Sequence, residues 1–112
     1  MKCLCVPGEV YELKIEGDVS ADPVWCAECM CNLDLEEFAI SYGLKNRLRE
    51  WMLRYGKWID WERDKIVSNG IELEAIHNEQ GKKLTEEVIK EIGEKYDVYF
   101  SPARMASTYH SI

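Results

Sequence analysis

Between Val10 and Glu16 the side chains fall into two alternating sets: Val10, Glu12, Lys14 and Glu16 against Tyr11, Leu13 and Ile15. A period of two sends alternate residues to opposite faces of an extended chain, so this stretch predicts a half-buried strand. Residues 2–6 alternate as well, with Cys3 and Cys5 on one side, and Pro7-Gly8 marks a turn. Together the two stretches predict a hairpin. Gly17-Asp18 closes the strand, and Ser20-Ala21-Asp22-Pro23 has the composition of a loop.

Further on, the period changes. Leu33 to Phe38 is ambiguous between a short helical turn and an extended link. Ser41 suits the N-cap of a first long helix. Its apolar stripe runs through Leu44, Leu48, Trp51, Met52, Tyr55 and then Trp58 or Ile59, at spacings of three and four. Gly56 is a poor helix former, so the helix is expected to weaken there, with Trp58-Ile59-Asp60-Trp61 as its ragged end. Asn69-Gly70 signals a turn. A second stripe runs through Leu73, Ile76, His77, Gln80, Leu84, Val88 and Ile92, with Gly81 placed to split it. Glu86 with Lys90 and Glu91 with Lys95 are i,i+4 pairs in the favourable order, worth about 0.2–0.5 kcal/mol each. Gly93 lies where it helps end the helix. Tyr96 to Phe100 reads as a last strand, stopped by Ser101-Pro102.

These elements predict an α+β fold: a small antiparallel or mixed sheet, made of the N-terminal hairpin and the C-terminal strand, covered by two helices. At 112 residues the chain suits one domain. The expected division is a hairpin-and-knuckle part over 1–34, a helical part over 41–95, a strand over 96–100 and a polar, frayed tail over 103–112.

Composition changes this picture little, and charge changes it more. The chain is 46% hydrophobic and 31% charged, with a net charge of −7. Residues 41–65 carry seven bases against four acids, whereas the segments on either side are acidic. An acidic whole disfavours nucleic-acid binding, which depends on a net basic face. No apolar run is long enough for a membrane span, and the N-terminus lacks the apolar stretch of a secretory signal. A cytoplasmic protein with reduced thiols is therefore expected.

All five cysteines fall within the first 31 residues. That clustering is poorly explained by ordinary buried thiols and points to a metal site. Zinc takes four soft or borderline ligands at a tetrahedral centre. Cys26-Ala27-Glu28-Cys29 supplies one pair from a tight turn. Cys3-Leu4-Cys5, spaced by two on a strand, presents both thiols on one face. Cys31 is an alternative ligand. The C-x-C and C-x-x-C halves resemble zinc-ribbon and zinc-knuckle domains, although those usually carry C-x-x-C in both halves. The resemblance implies one structural Zn²⁺ held by Cys3, Cys5, Cys26 and Cys29.

Trp25-Cys26-Ala27-Glu28-Cys29 also resembles the Trp-Cys-x-x-Cys of thioredoxin-like proteins. A thiol-redox or metal-responsive role for Cys26, Cys29 and Cys31 is therefore the alternative. Against it, no helical period starts at Cys29, and none of Pro7, Pro23 and Pro102 suits the cis-proline of that family. The runs Trp25 to Asp34 and Gly56 to Trp61 resemble short proteins of Gram-positive bacteria, a likeness that imports no activity.

No catalytic constellation is present. His77 lies on an apolar stripe, as a core histidine would, and His110 lies in the tail. Neither belongs to a metal-binding pair, and no phosphate-cradling glycine loop occurs. Glu72, Glu74, Glu79, Glu86, Glu87 and Glu91 read as a solvated helix face. The remaining unusual stretch interleaves Trp51, Tyr55, Trp58 and Trp61 with Arg49, Arg54 and Lys57. Aromatic and arginine side chains are enriched at binding hot spots. Trp51 and Tyr55 are assigned to the core, and Trp58, Trp61, Arg54 and Lys57 to a surface that binds a protein partner. The sequence thus predicts a non-enzymatic, zinc-stabilised interaction module.

Overall fold

The computed structural model describes residues 12–18 and 21–104. Its sheet has three strands, with β1 (Glu12–Ile15) in the centre, β2 (Val24–Cys26) on one side and β5 (Asp97–Phe100) on the other. β1 runs antiparallel to β2, with Leu13 opposite Cys26 and Ile15 opposite Val24. It runs parallel to β5, with Leu13 opposite Val98 and Ile15 opposite Phe100. A parallel pair needs a long crossover, and here the crossover holds both helices, α1 (Tyr42–Leu53) and α2 (Gly70–Ile92). The α+β class expected from the periodicities is the class observed. The expected partner of β1, residues 2–6, lies outside the described residues.

Leu13 and Ile15 bury one face of β1 in the main core. This core also takes in Leu33, Leu35, Phe38, Leu44, Leu48, Trp51, Leu84, Val88 and Ile92. The opposite face of β1 was expected to be polar, yet Lys14 is only 5% exposed. Its ammonium pairs with Glu16 at 3.2 Å, approaches the Met30 sulfur at 3.6 Å and lies over the Trp25 ring, so the alkyl stem is covered while the charge keeps partners.

The link from 33 to 38 resolves into a short 3₁₀ turn over Leu35–Glu37, capped by Asp34. Ser41 caps α1 as expected, its hydroxyl accepting from the Leu44 backbone N–H at 3.4 Å. Glu91 on α2 accepts from both the backbone N–H and the hydroxyl of Ser41, at 2.6 and 2.8 Å. It thereby joins the end of one helix to the start of the other, a role its expected pairing with Lys95 did not foresee. Arg47 and Glu87 add a second cross-helix link at 2.6 Å.

Two expectations about glycine are corrected. α2 is continuous through Gly81. A Cβ at this position would stand 2.4 Å from the Phe100 ring and 2.6 Å from the Trp51 ring. Glycine here lets two aromatic rings touch the helix backbone, and their burial outweighs a propensity loss of about 1 kcal/mol. Gly56, at φ +83°, adopts a backbone conformation open to few other residues and turns the chain out of α1. The expected ragged helix end is instead a hairpin: Ile59–Asp60 (β3) and Lys65–Ile66 (β4) pair as two antiparallel strands. Asp60 caps its turn by accepting from the backbone N–H groups of Glu62 and Arg63, both at 3.2 Å.

Ala103, expected in the tail, is held by Asn78 through two hydrogen bonds of 2.8 and 3.1 Å. Residues 105–112 of that tail lie outside the described residues.

Candidate partner-binding surface

The cysteine segment is built by short-range backbone bonds. Cys26 N–H donates to the Cys31 carbonyl, and Met30 N–H to the Cys26 carbonyl, each at 2.9 Å. Met30, at φ +64°, reverses the chain. Asn32 fastens the loop, donating to the carbonyls of Asp22 and Val24. The expected knuckle is thus a tight hairpin turn at the end of β2. Cys26, Cys29 and Cys31 are thiols, the first buried in the main core and the other two packed against it. Among the described residues, no three His, Cys, Asp or Glu side chains converge where a metal ion could be held. Cys3 and Cys5, the other half of the expected zinc set, lie outside the described residues.

The aromatic-basic stretch is divided by the fold into inside and outside. Trp51 is fully buried, as expected, its indole N–H donating to the His77 carbonyl at 2.9 Å. Tyr55 is half-buried. Trp58, assigned from sequence to the partner surface, is only 2% exposed and anchors a second, smaller core with Ile59. The reason is the hairpin: once β3 and β4 pair, Trp58 turns beneath them instead of continuing a helix face. Trp61, at 56% exposure, stays on the surface with its ring packed over Gly56. Arg54 and Lys57 are also exposed.

His77 is the centre of this second cluster. Its ring stacks on Trp51 at 4.4 Å and is flanked by Trp58 at 4.9 Å and Tyr55 at 5.8 Å. Burial, helped by the charge of Arg54, pushes its pKa down to about 4, so it is neutral at pH 7. Burial also pushes the Tyr55 hydroxyl up, so it too is neutral. Glu74, read from sequence as part of a solvated face, is buried on the same side of α2 as His77. Neither His77 Nδ1 nor Trp58 Nε1 has a hydrogen-bond partner among the described residues.

Two concavities lie between the helices on this side. The first, about 170 Å³, is walled by Trp58, His77, Leu73 and Ile76, with Arg54, Lys57 and Gln80 also lining it. The second, about 300 Å³, is bordered by Arg47, Arg54, Lys83 and Leu84, with Glu50, Gln80 and Glu87. Arg54 and Gln80 belong to both, and their hydrogen bond of 3.2 Å forms the ridge between them. The result is a groove with four bases and two acids on a chain that is acidic overall, and one of the acids, Glu87, is already paired with Arg47. Arg47, Ile76, Gln80 and Lys83 were not assigned to the partner surface from sequence, and Ile76 and Gln80 were read only as part of the apolar stripe of α2. The available signal was Lys82-Lys83, the one adjacent pair of bases in an otherwise Glu-rich helix.

A groove of this kind, cationic and bordered by the exposed aliphatic side chain of Ile76, suits docking of a protein more than chemistry on a small molecule. Among the described residues no helix is long and apolar enough to cross a membrane. No curated protein sequence matches the chain. Residues 11–103 do match a family model, described as Serratia CdiI immunity protein-like, and the chain belongs to that family.

Proposed function

From that membership we propose that the chain is an immunity protein, which neutralises a protein toxin by binding it through the groove between α1 and α2. The match over residues 11–103 carries this reading. The groove supports the choice of surface: it gathers Arg47, Arg54 and Lys83 beside the half-exposed Ile76, on a chain of net charge −7. Binding alone accounts for the action, and no residue of this chain is required to do chemistry. The test is co-expression with a toxin domain encoded alongside it, followed by calorimetry with the purified pair. Restored growth together with a 1:1 complex is the expected result. Growth arrest and no heat of binding would overturn it.

Structural zinc is a separate proposal. It rests on the clustering of all five cysteines before residue 32, with Cys3, Cys5, Cys26 and Cys29 as ligands and Cys31 as the alternative. The turn supplies soft donors from one short segment, which suits the chemistry of zinc. Elemental analysis of the purified chain decides it: one zinc per chain is expected, and protein that is folded and metal-free sinks the assignment.

A further inference from the structure

We propose that the toxin docks in this groove through a segment that carries an apolar anchor flanked by acidic residues. The anchor, a side chain of leucine or methionine size, enters between Trp58, Leu73 and Ile76, and the flanking carboxylates meet Arg54, Lys57 and Lys83. The identity of the partner rests on the immunity reading; the chemistry of the docking segment rests on the groove.

Elsewhere the structure matches bases to acids. Lys14, Lys45, Arg47, Arg49 and Arg63 each lie 2.6–3.8 Å from a carboxylate. Arg54, Lys57 and Lys83 have no carboxylate at such a distance among the described residues, and Arg54 turns instead to the neutral amide of Gln80 at 3.2 Å. The end of α1 brings the first two to the groove and α2 brings the third. Shortage of acids is not the cause, since the chain has 21 acids and 14 bases. Bases gathered without counter-charge raise a local positive potential, and the complementary partner presents carboxylates there.

The cavity beneath them selects differently. Its wall holds the Trp58 indole, the His77 ring and the aliphatic Leu73 and Ile76. Burial, helped by the charge of Arg54, keeps His77 neutral at pH 7, so the buried part of the wall is uncharged. A charged group drawn inside would lose water without an opposite charge to replace it, whereas an apolar side chain gains by leaving water. At about 170 Å³ the cavity suits one side chain, being smaller than the roughly 300–1,000 Å³ typical of drug-sized ligands. An apolar residue in a central pocket, ringed by polar contacts, is the usual arrangement of a binding hot spot. A second copy of this chain is the competing occupant, and a net charge of −7 on each copy opposes it.

The test measures binding of the full chain to the purified toxin domain by surface plasmon resonance, with circular dichroism to check that each variant is folded. Arg54→Glu with Lys83→Glu reverses the sign of the groove. Lys65→Glu with Lys90→Glu makes the same change in net charge at exposed positions outside it. The groove variant is expected to associate about tenfold more slowly or worse, and the outside variant within about twofold of the unaltered chain. Equal slowing in both, or unchanged or faster association of the groove variant, overturns the acidic segment. Ile76→Gln, also at an exposed position, should speed dissociation about tenfold, and unchanged dissociation overturns the apolar anchor.

Sedimentation of the chain alone addresses the second copy: a dimer that the groove variant loses overturns the toxin as occupant. A toxin complex whose rates none of the variants alters overturns the docking proposal and leaves the immunity reading standing. Absence of any complex with the unaltered chain overturns both.

Discussion

The protein has two cores, and they are finished to different degrees. The main core joins β1, β2, α1 and the C-terminal half of α2 around Leu13, Leu48, Trp51 and Val88. The Trp51 indole has its acceptor in the His77 carbonyl, and Ser41, Glu91, Arg47 and Glu87 tie the two helices together at the surface. The second core is small: Trp58 and Ile59 are buried, with Tyr55, Ile66, Val67 and Leu73 around them. It holds both of the buried side-chain polar atoms that lack partners among the described residues, and it opens on a cavity. A fold can leave such a region incompletely satisfied only where a neighbouring core carries the stability. Here the incomplete region also holds the basic groove, which is the pattern expected of a binding site.

The contrast is most directly broken at the tryptophans. Trp51→Ala should destabilise the protein by about 3–5 kcal/mol, and Trp61→Ala by less than about 0.5 kcal/mol, in urea unfolding monitored by circular dichroism. Equal losses would mean that the two regions are not distinct. His77 gives the next largest effect. Its folded pKa is depressed to about 4 from the usual 6.5, so its contribution is fully present above pH 6.5 and is lost as the pH falls towards 4. The loss should be on the order of 3 kcal/mol. His77→Gln should remove that slope while leaving the carboxylate-driven part of acid unfolding in place, as urea midpoints measured from pH 7 to 4 will show.

Gly81→Ala sharpens the comparison from the main core. Helix propensity alone predicts a gain, but the new methyl group would meet Phe100 and Trp51, and a loss of about 1–3 kcal/mol is expected in chemical denaturation. A stabilised variant would show that the rings can retreat. Ser41→Ala has a smaller effect. It removes the N-cap of α1 and one of the two bonds to Glu91, for about 1 kcal/mol read from the thermal midpoint.

Much of this architecture was written in local patterns. The alternation around Leu13 and Ile15 marked β1, the stripe through Leu44, Leu48 and Trp51 marked α1, and Ser41 marked its start, because each signal depends only on neighbours in the chain. The basic character of residues 41–65 was equally open to reading, and it led to Arg54, Lys57 and Trp61 as surface residues. Tertiary structure decided the rest. Trp58 went inside because β3 and β4 pair across a turn, a contact that propensity around Gly56 does not announce. Gly81 continued a helix because Phe100 and Trp51, from two distant segments, need its backbone bare. Lys83 joined Arg54 at one groove only once α1 and α2 lay side by side. A single sequence specifies which faces are apolar and where the chain can turn. Which face meets which, and therefore where charge and unpaired donors collect, depends on contacts between residues far apart in the chain, and those exist only in the folded protein.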